Sequence, residues 1–186
     1  MGSEPGLTHP GWVEPTRAIP LRWGHYADRY AAGLLLIVGG SVQLQGSNTW
    51  TLPLLLIGTV AHATGWAIMP ARGWTRLVVV VPATGQVWLL LTGPLSVWTL
   101  VVPYLAWLIV RERPARSYLT VLFPLANGYI LPRFFQEYSG MLPALCISFA
   151  VLVASAWTAR LIAATPWRPR PERTEPGSLP TPSESR

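Results

Sequence analysis

Four uncharged polar side chains stand inside otherwise apolar stretches of this chain: His62, Gln86, Tyr104 and Asn127. No Asp, Glu, Lys or Arg shares the centre of those stretches, which argues against a carboxylate proton relay, a voltage sensor and a charged ion pathway. Such groups can hold a small neutral ligand, or they can hold helices together through hydrogen bonds. A lone imidazole supplies no metal site and lacks the surroundings of a haem ligand, so His62 reads as a packing histidine. No metal or cofactor is expected. A second candidate is the segment from Pro132 to Gly140, where Arg133 and Glu137 lie four residues apart among Phe134, Phe135 and Tyr138. These two could cap the molecule or receive a partner, but the preferred reading is an interfacial half-turn with a snorkelling Arg. Motifs of the HExxH, GxSxG and glycine-rich phosphate-loop kinds are missing, and no loop is long enough to build a soluble active site, so an enzyme is not expected.

The elements that must carry these residues are legible from charge. The chain runs without a formal charge from Tyr30 to Ala71 and again from Leu77 to Val110, and each run far exceeds the roughly 20 residues that cross about 30 Å of hydrocarbon. Each must therefore fold back on itself. Gln45, Gly46, Ser47 and Asn48 supply one turn, and Thr92, Gly93 and Pro94 the other. Two shorter charge-free stretches, Ser117 to Pro132 and Tyr138 to Ala159, add one span each. The expected architecture is an all-α integral membrane protein with six transmembrane helices arranged as three hairpins, near 30–45, 50–69, 77–92, 95–110, 117–132 and 141–163.

Orientation follows from the arginines, which account for all 14 basic residues. Arg17, Arg22 and Arg29 precede the first span, Arg72 and Arg76 follow the second, Arg111, Arg113 and Arg116 follow the fourth, and Arg160, Arg168, Arg170, Arg173 and Arg186 close or follow the sixth. Only Arg133 falls on the other side. Short cytoplasmic loops retain Arg, so both termini are expected in the cytoplasm. Tryptophans agree with this frame, with Trp50, Trp88 and Trp98 toward outer span ends and Trp66, Trp107 and Trp157 toward inner ends, as an aromatic belt requires.

Composition supports a membrane class, with 51% apolar and 12% charged residues. A pI near 10.2 would suit nucleic acid only if the positive charge sat on a soluble domain, and none is visible. The lipid bilayer is the expected partner, and a membrane-protein partner or a small-molecule ligand the next. The absence of lysine beside abundant Ala, Gly, Pro, Arg and Trp suggests a GC-rich gene and a bacterial plasma membrane. Residues 1–26 and 165–186, rich in Pro, are expected to be cytoplasmic tails around a membrane domain at 27–164, the C-terminal one disordered. One cysteine, Cys146, excludes an internal disulfide.

At about 1.5 Å per residue, His62, Gln86, Tyr104 and Asn127 all fall about 13 to 18 Å below the outer surface. They occupy one layer, which fits either a polar site at the midplane or a set of adhesive bonds. The adhesive reading is preferred, because matched depth says nothing about helix rotation. Stripes of small residues along one helix face, Gly58, Ala61 and Gly65 in the second span and Ser148, Ser155, Ala159 and Ala163 in the sixth, suit close helix contact. Trp50-Thr51-Leu52 and Trp98-Thr99-Leu100 each lead to a Pro-Ala-Arg turn, a faint repeat that interfacial selection explains without duplication. The function expected from all this is that of a non-enzymatic accessory or scaffold subunit in the membrane, with a small-molecule binding or transport component as the alternative.

Overall fold

A computed structural model describes residues 15–19 and 24–165 of the chain. Most of the two expected tails, including the disorder assigned to the C-terminal one, lies outside the described residues. Among those residues every regular element is helical: six α-helices and no strand. They are α1 (Tyr26–Gln45), α2 (Leu52–Ile68), α3 (Thr75–Leu89), α4 (Val101–Val110), α5 (Leu122–Ile130) and α6 (Met141–Ala164). Each of the six expected spans overlaps one of them. Short 3-10 helices extend several: Leu90–Thr92 after α3, Pro94–Leu100 before α4, Ala115–Val121 before α5, Leu131–Arg133 after it, and Tyr138–Gly140 before α6.

Backbone chemistry sets these boundaries. Asn48 accepts hydrogen bonds from the Trp50 amide (2.9 Å) and the Thr51 hydroxyl (3.1 Å), closing the turn into α2. Gly93, at φ +108°, reverses the chain between α3 and the Pro94–Leu100 helix. After α4 the same left-handed step is taken by Glu112 at φ +48°, and the Arg113 amide returns to the Leu108 carbonyl at 3.1 Å in a helix-ending bond.

Consecutive helices pack against one another, and α6 returns along Ala115–Val121, α5 and Pro94–Leu100. The outward and inward faces reverse the pattern of a water-soluble helix. Helix α6 buries Ala144, Ser148, Ser155, Ala159 and Ala163 while exposing Leu142, Ile147, Phe149, Val153, Trp157 and Leu161. Elsewhere Leu35, Leu56, Val81 and Leu119 are each at least two-thirds exposed. Exposed apolar area of this extent marks contact with a membrane or with other protein. Two stretches are long and apolar enough to cross a membrane, Thr75–Thr92 and Tyr138–Ala164. Leu52–Ile68 and Pro94–Val110, of 10–17 residues, are shorter.

The small-residue stripe of α2 finds its partner within the chain. Gly58 and Gly65 meet Gly40 and Gly33 of α1, and the backbones come so near that a Cβ on Gly40 would sit 2.6 Å from the Gly58 carbonyl oxygen. One on Gly65 would sit 2.7 Å from that of Gly33. The pairing of 33 with 65 and 40 with 58 makes the hairpin antiparallel. The stripe of α6 is likewise consumed inside the molecule, where the Ser117 hydroxyl donates to the Ala159 carbonyl at 3.1 Å.

Candidate functional site

His62 lies where α2 crosses α1, and its ring is bonded on both sides. The Trp66 indole N–H, which can only donate, reaches Nε2 at 3.1 Å, so Nε2 is the acceptor. Nδ1 then carries the proton and faces the Ile37 carbonyl at 3.1 Å and the Ser41 hydroxyl at 3.0 Å, while Ser41 donates to the same carbonyl at 2.8 Å. The imidazole is thereby held in one neutral tautomer with no lone pair left for a metal. Among the described residues no three of His, Cys, Asp and Glu come together as metal ligands. Trp66, which its position near a span end suggests for an interfacial belt, is instead 2% exposed. Its N–H is needed by His62, and an indole placed at the membrane surface could not reach that nitrogen.

Gln86 and Tyr104 are also buried, and both bond to a threonine on the next segment. Gln86 Nε2 donates to Thr99 Oγ1 at 3.1 Å, and the Tyr104 hydroxyl meets Thr120 Oγ1 at 2.5 Å. Thr99 in turn donates to the Ser96 carbonyl at 2.6 Å and Thr120 to the Ser117 carbonyl at 2.7 Å. Asn127, half-buried on α5, donates to Ser148 Oγ of α6 at 2.9 Å. The four residues of the expected layer thus serve four different interfaces, and among the described residues no hydrogen bond joins any two of them. Gln86 Oε1 is buried without a hydrogen-bond partner.

The threonines and their serines were missed, although a signal for them exists. Ser96, Thr99 and Pro103 repeat as Ser117, Thr120 and Pro124, a Ser-x-x-Thr-x-x-x-Pro pattern in which each proline lies four residues after a threonine. Proline has no N–H to offer the carbonyl four residues before it, and its ring crowds that carbonyl. The chain answers by winding as 3-10 helix up to Leu100 and Val121 and as α-helix from Val101 and Leu122. The repeat is therefore local proline chemistry repeated in α4 and α5. Gly33 and Gly40 were missed although they share the seven-residue spacing of Gly58 and Gly65, because their role appears only once α2 lies against them.

At the other candidate, Arg133 and Glu137 do not pair. Arg133 donates to the Tyr129 hydroxyl at 2.5 Å with its guanidinium 4.4 Å from that ring, and Glu137 accepts from Ser139 at 3.3 Å. The other arginines do more than mark one side of the molecule. Arg29 donates twice to the Ile68 carbonyl at the end of α2 (3.1 and 2.9 Å), and Arg116 donates to the carbonyls of Ala163 (2.9 Å) and Thr165 (2.6 Å) at the end of α6. Positive charge at a helix C-terminus satisfies carbonyls that have no partner within the helix. Arg111 lies 4.3 Å from the Tyr30 ring and donates to the Tyr26 hydroxyl at 2.9 Å, and Arg72 pairs with Glu112 at 3.4 Å.

Comparison with protein-family models, curated proteins and solved structures finds no match to this chain.

Proposed function

We propose that this chain is a multi-pass protein of the bacterial plasma membrane, with six spans and both termini in the cytoplasm, that serves as a non-enzymatic accessory or scaffold subunit. The observation that carries this reading is the use of the polar layer. His62, Gln86, Tyr104 and Asn127 each bond across one helix pair, which is adhesive use, whereas a transport site would turn them toward a common ligand. The exposed apolar faces support immersion in lipid, since hydrocarbon is the surrounding that leaves them at no cost.

Six spans are compatible with the short α-helices because 3-10 winding rises about 2.0 Å per residue against about 1.5 Å. Pro94–Leu100 followed by Val101–Val110 therefore reaches about 29 Å, and Ala115–Val121 through Arg133 reaches about 33 Å. Both approach the hydrocarbon thickness of about 30 Å. α2, with 17 residues, reaches about 26 Å, within what bilayer thinning and flanking residues accommodate.

Topology is tested by cysteine labelling on a Cys146→Ser background. Cysteines at Asn48, Gly93 and Ser139 are expected to react from outside, and cysteines at Gly73 and Ala115 from the cytoplasm; labelling at Gly93 only from the cytoplasm overturns the placement of α3 and α4. The scaffold role is tested by native electrophoresis of membranes with and without the chain. A membrane complex that loses mass or abundance on deletion is the expected result. Unchanged complexes together with lost uptake of a solute would favour the transport reading.

A further inference from the structure

The outer end of α5 carries two neighbouring hollows, one apolar and one that mixes polar and aromatic side chains. One is an apolar groove of about 750 Å³ between the Pro94–Leu100 helix and α5, walled by Leu95, Trp98, Leu122, Leu125 and Tyr129. It exists because Gly128 brings α5 against the Trp98 backbone so closely that a Cβ there would lie 2.3 Å from Trp98 Cα. The large side chains on either side of that contact have no room between the helices and stand outward as walls. From Leu122 to Pro132 the groove spans about 16 Å of helix, close to one hydrocarbon leaflet, half of about 30 Å.

The chain then passes directly into the second hollow, about 370 Å³, where Arg133, Gln136, Glu137 and Ser139 line the surface together with Phe134 and Phe135. Stacking on Tyr129, a wall of the first hollow, holds the Arg133 guanidinium at the head of the groove. Glu137 keeps its carboxylate in the same hollow without pairing to Arg133. A cation and an anion held apart above an apolar channel match a zwitterionic amphiphile. A purely anionic headgroup would satisfy Arg133 and be repelled by Glu137.

We propose that this surface binds one outer-leaflet glycerophospholipid with a primary-amine headgroup, of the ethanolamine kind. An acyl chain lies along the groove, the phosphate accepts from Arg133, and the ammonium donates to Glu137. A choline headgroup lacks the N–H donors, and a glycerol headgroup lacks the positive charge. The site rests on the membrane orientation proposed above.

The test is native mass spectrometry of the full chain in mild detergent, titrated with phosphatidylethanolamine, phosphatidylcholine and phosphatidylglycerol of identical acyl chains. One ethanolamine lipid is expected to be retained at least about tenfold over the other two. Arg133→Gln and Glu137→Gln should each remove that preference, Arg133→Lys should keep most of it, and Leu125→Trp should weaken all three lipids by filling the groove. Arg160→Gln, beside Trp157 on α6, should change nothing. All variants are surface changes whose folding is verified by a single monodisperse gel-filtration peak. Equal retention of the three lipids, a preference indifferent to Arg133 and Glu137, or a protein that occupies the groove in place of lipid would each overturn the proposal. These outcomes are read on folded, detergent-extracted protein, so they are separable from the orientation, which fails only if the Gly93 and Ser139 cysteines label from the cytoplasm.

Discussion

Between α1 and α2 the side chains at the contact are deleted, whereas between α4 and the segment leading into α5 they are kept and tied by hydroxyls. In the first pair Gly33, Gly40, Gly58 and Gly65 bring backbone against backbone, and His62, beside them, is enclosed by Ser41 and Trp66. In the second, Tyr104 reaches Thr120, whose carbonyl Pro124 has released from α-helical bonding. In the lipid surrounding proposed above, apolar helices gain nothing by hiding hydrophobic area, so contact must come from close packing or from hydrogen bonds. This chain uses the glycine route between α1 and α2 and again at Gly128 against Trp98, and the hydroxyl route between α4 and the segment leading into α5. The glycine route is intolerant because its clashes are with backbone, and the hydroxyl route is graded because each bond contributes on its own.

The largest difference should appear at Gly40. Gly40→Leu puts a side chain where the Gly58 oxygen and the His62 amide already stand at 2.6 Å, and overpacking of this kind costs about 3 kcal/mol or more. Thermal unfolding in detergent should show loss of the folded population, while Gly39→Ala, with open space around its Cβ, should match the parent. Equal behaviour of the two variants would remove the glycine contact from the account.

A smaller effect is expected on the hydroxyl side. Thr120→Val breaks the Tyr104 bond and the bond to Ser117, and membrane hydrogen bonds contribute about 0.6 kcal/mol on average with a ceiling of about 1.7. A modest fall in melting temperature should result, and a double-mutant cycle with Tyr104→Phe should return a coupling in that range. Zero coupling would mean that the two hydroxyls are neighbours and no more.

Gln86→Leu should be close to neutral, or slightly stabilising. It gives up one bond to Thr99 and also removes a buried Oε1 that has no partner, and these two terms oppose each other. A melting temperature lowered as far as that of Thr120→Val would show that the glutamine is better satisfied than its geometry implies. Smallest of all should be the effect of C-terminal truncation from Arg168 onward, since the removed sequence is rich in Pro, Ser, Thr and Glu and poor in apolar residues; the extracted protein should stay monodisperse with its melting point unchanged.

How much of this was readable in advance differs from residue to residue. The four polar residues were identifiable because each interrupts an apolar run, but their partners were not. Ser41, Thr99, Thr120 and Ser148 are ordinary small hydroxyls until a facing helix makes them acceptors. Trp66 was misread for the same reason, since a tryptophan near a helix end is interfacial only if it turns outward. Arg133 and Glu137 have the spacing of a helical ion pair, yet the backbone between them leaves a 3-10 turn for irregular chain, and Arg133 turns back to Tyr129 instead.

Segmentation into six helices, the turns between them and the one-sided arginines follow from charge, glycine and proline, which act locally and need no neighbour. Rotation of each helix about its axis does not. A helix that is apolar all round has no polar face to set which side turns inward, so its orientation is decided only when another surface is present to accept it. That is why Gly33 selects Gly65, why His62 ends between Ile37, Ser41 and Trp66, and why an outward groove forms beside Gly128. Each depends on the shape of a partner helix, which no stretch of this chain contains by itself.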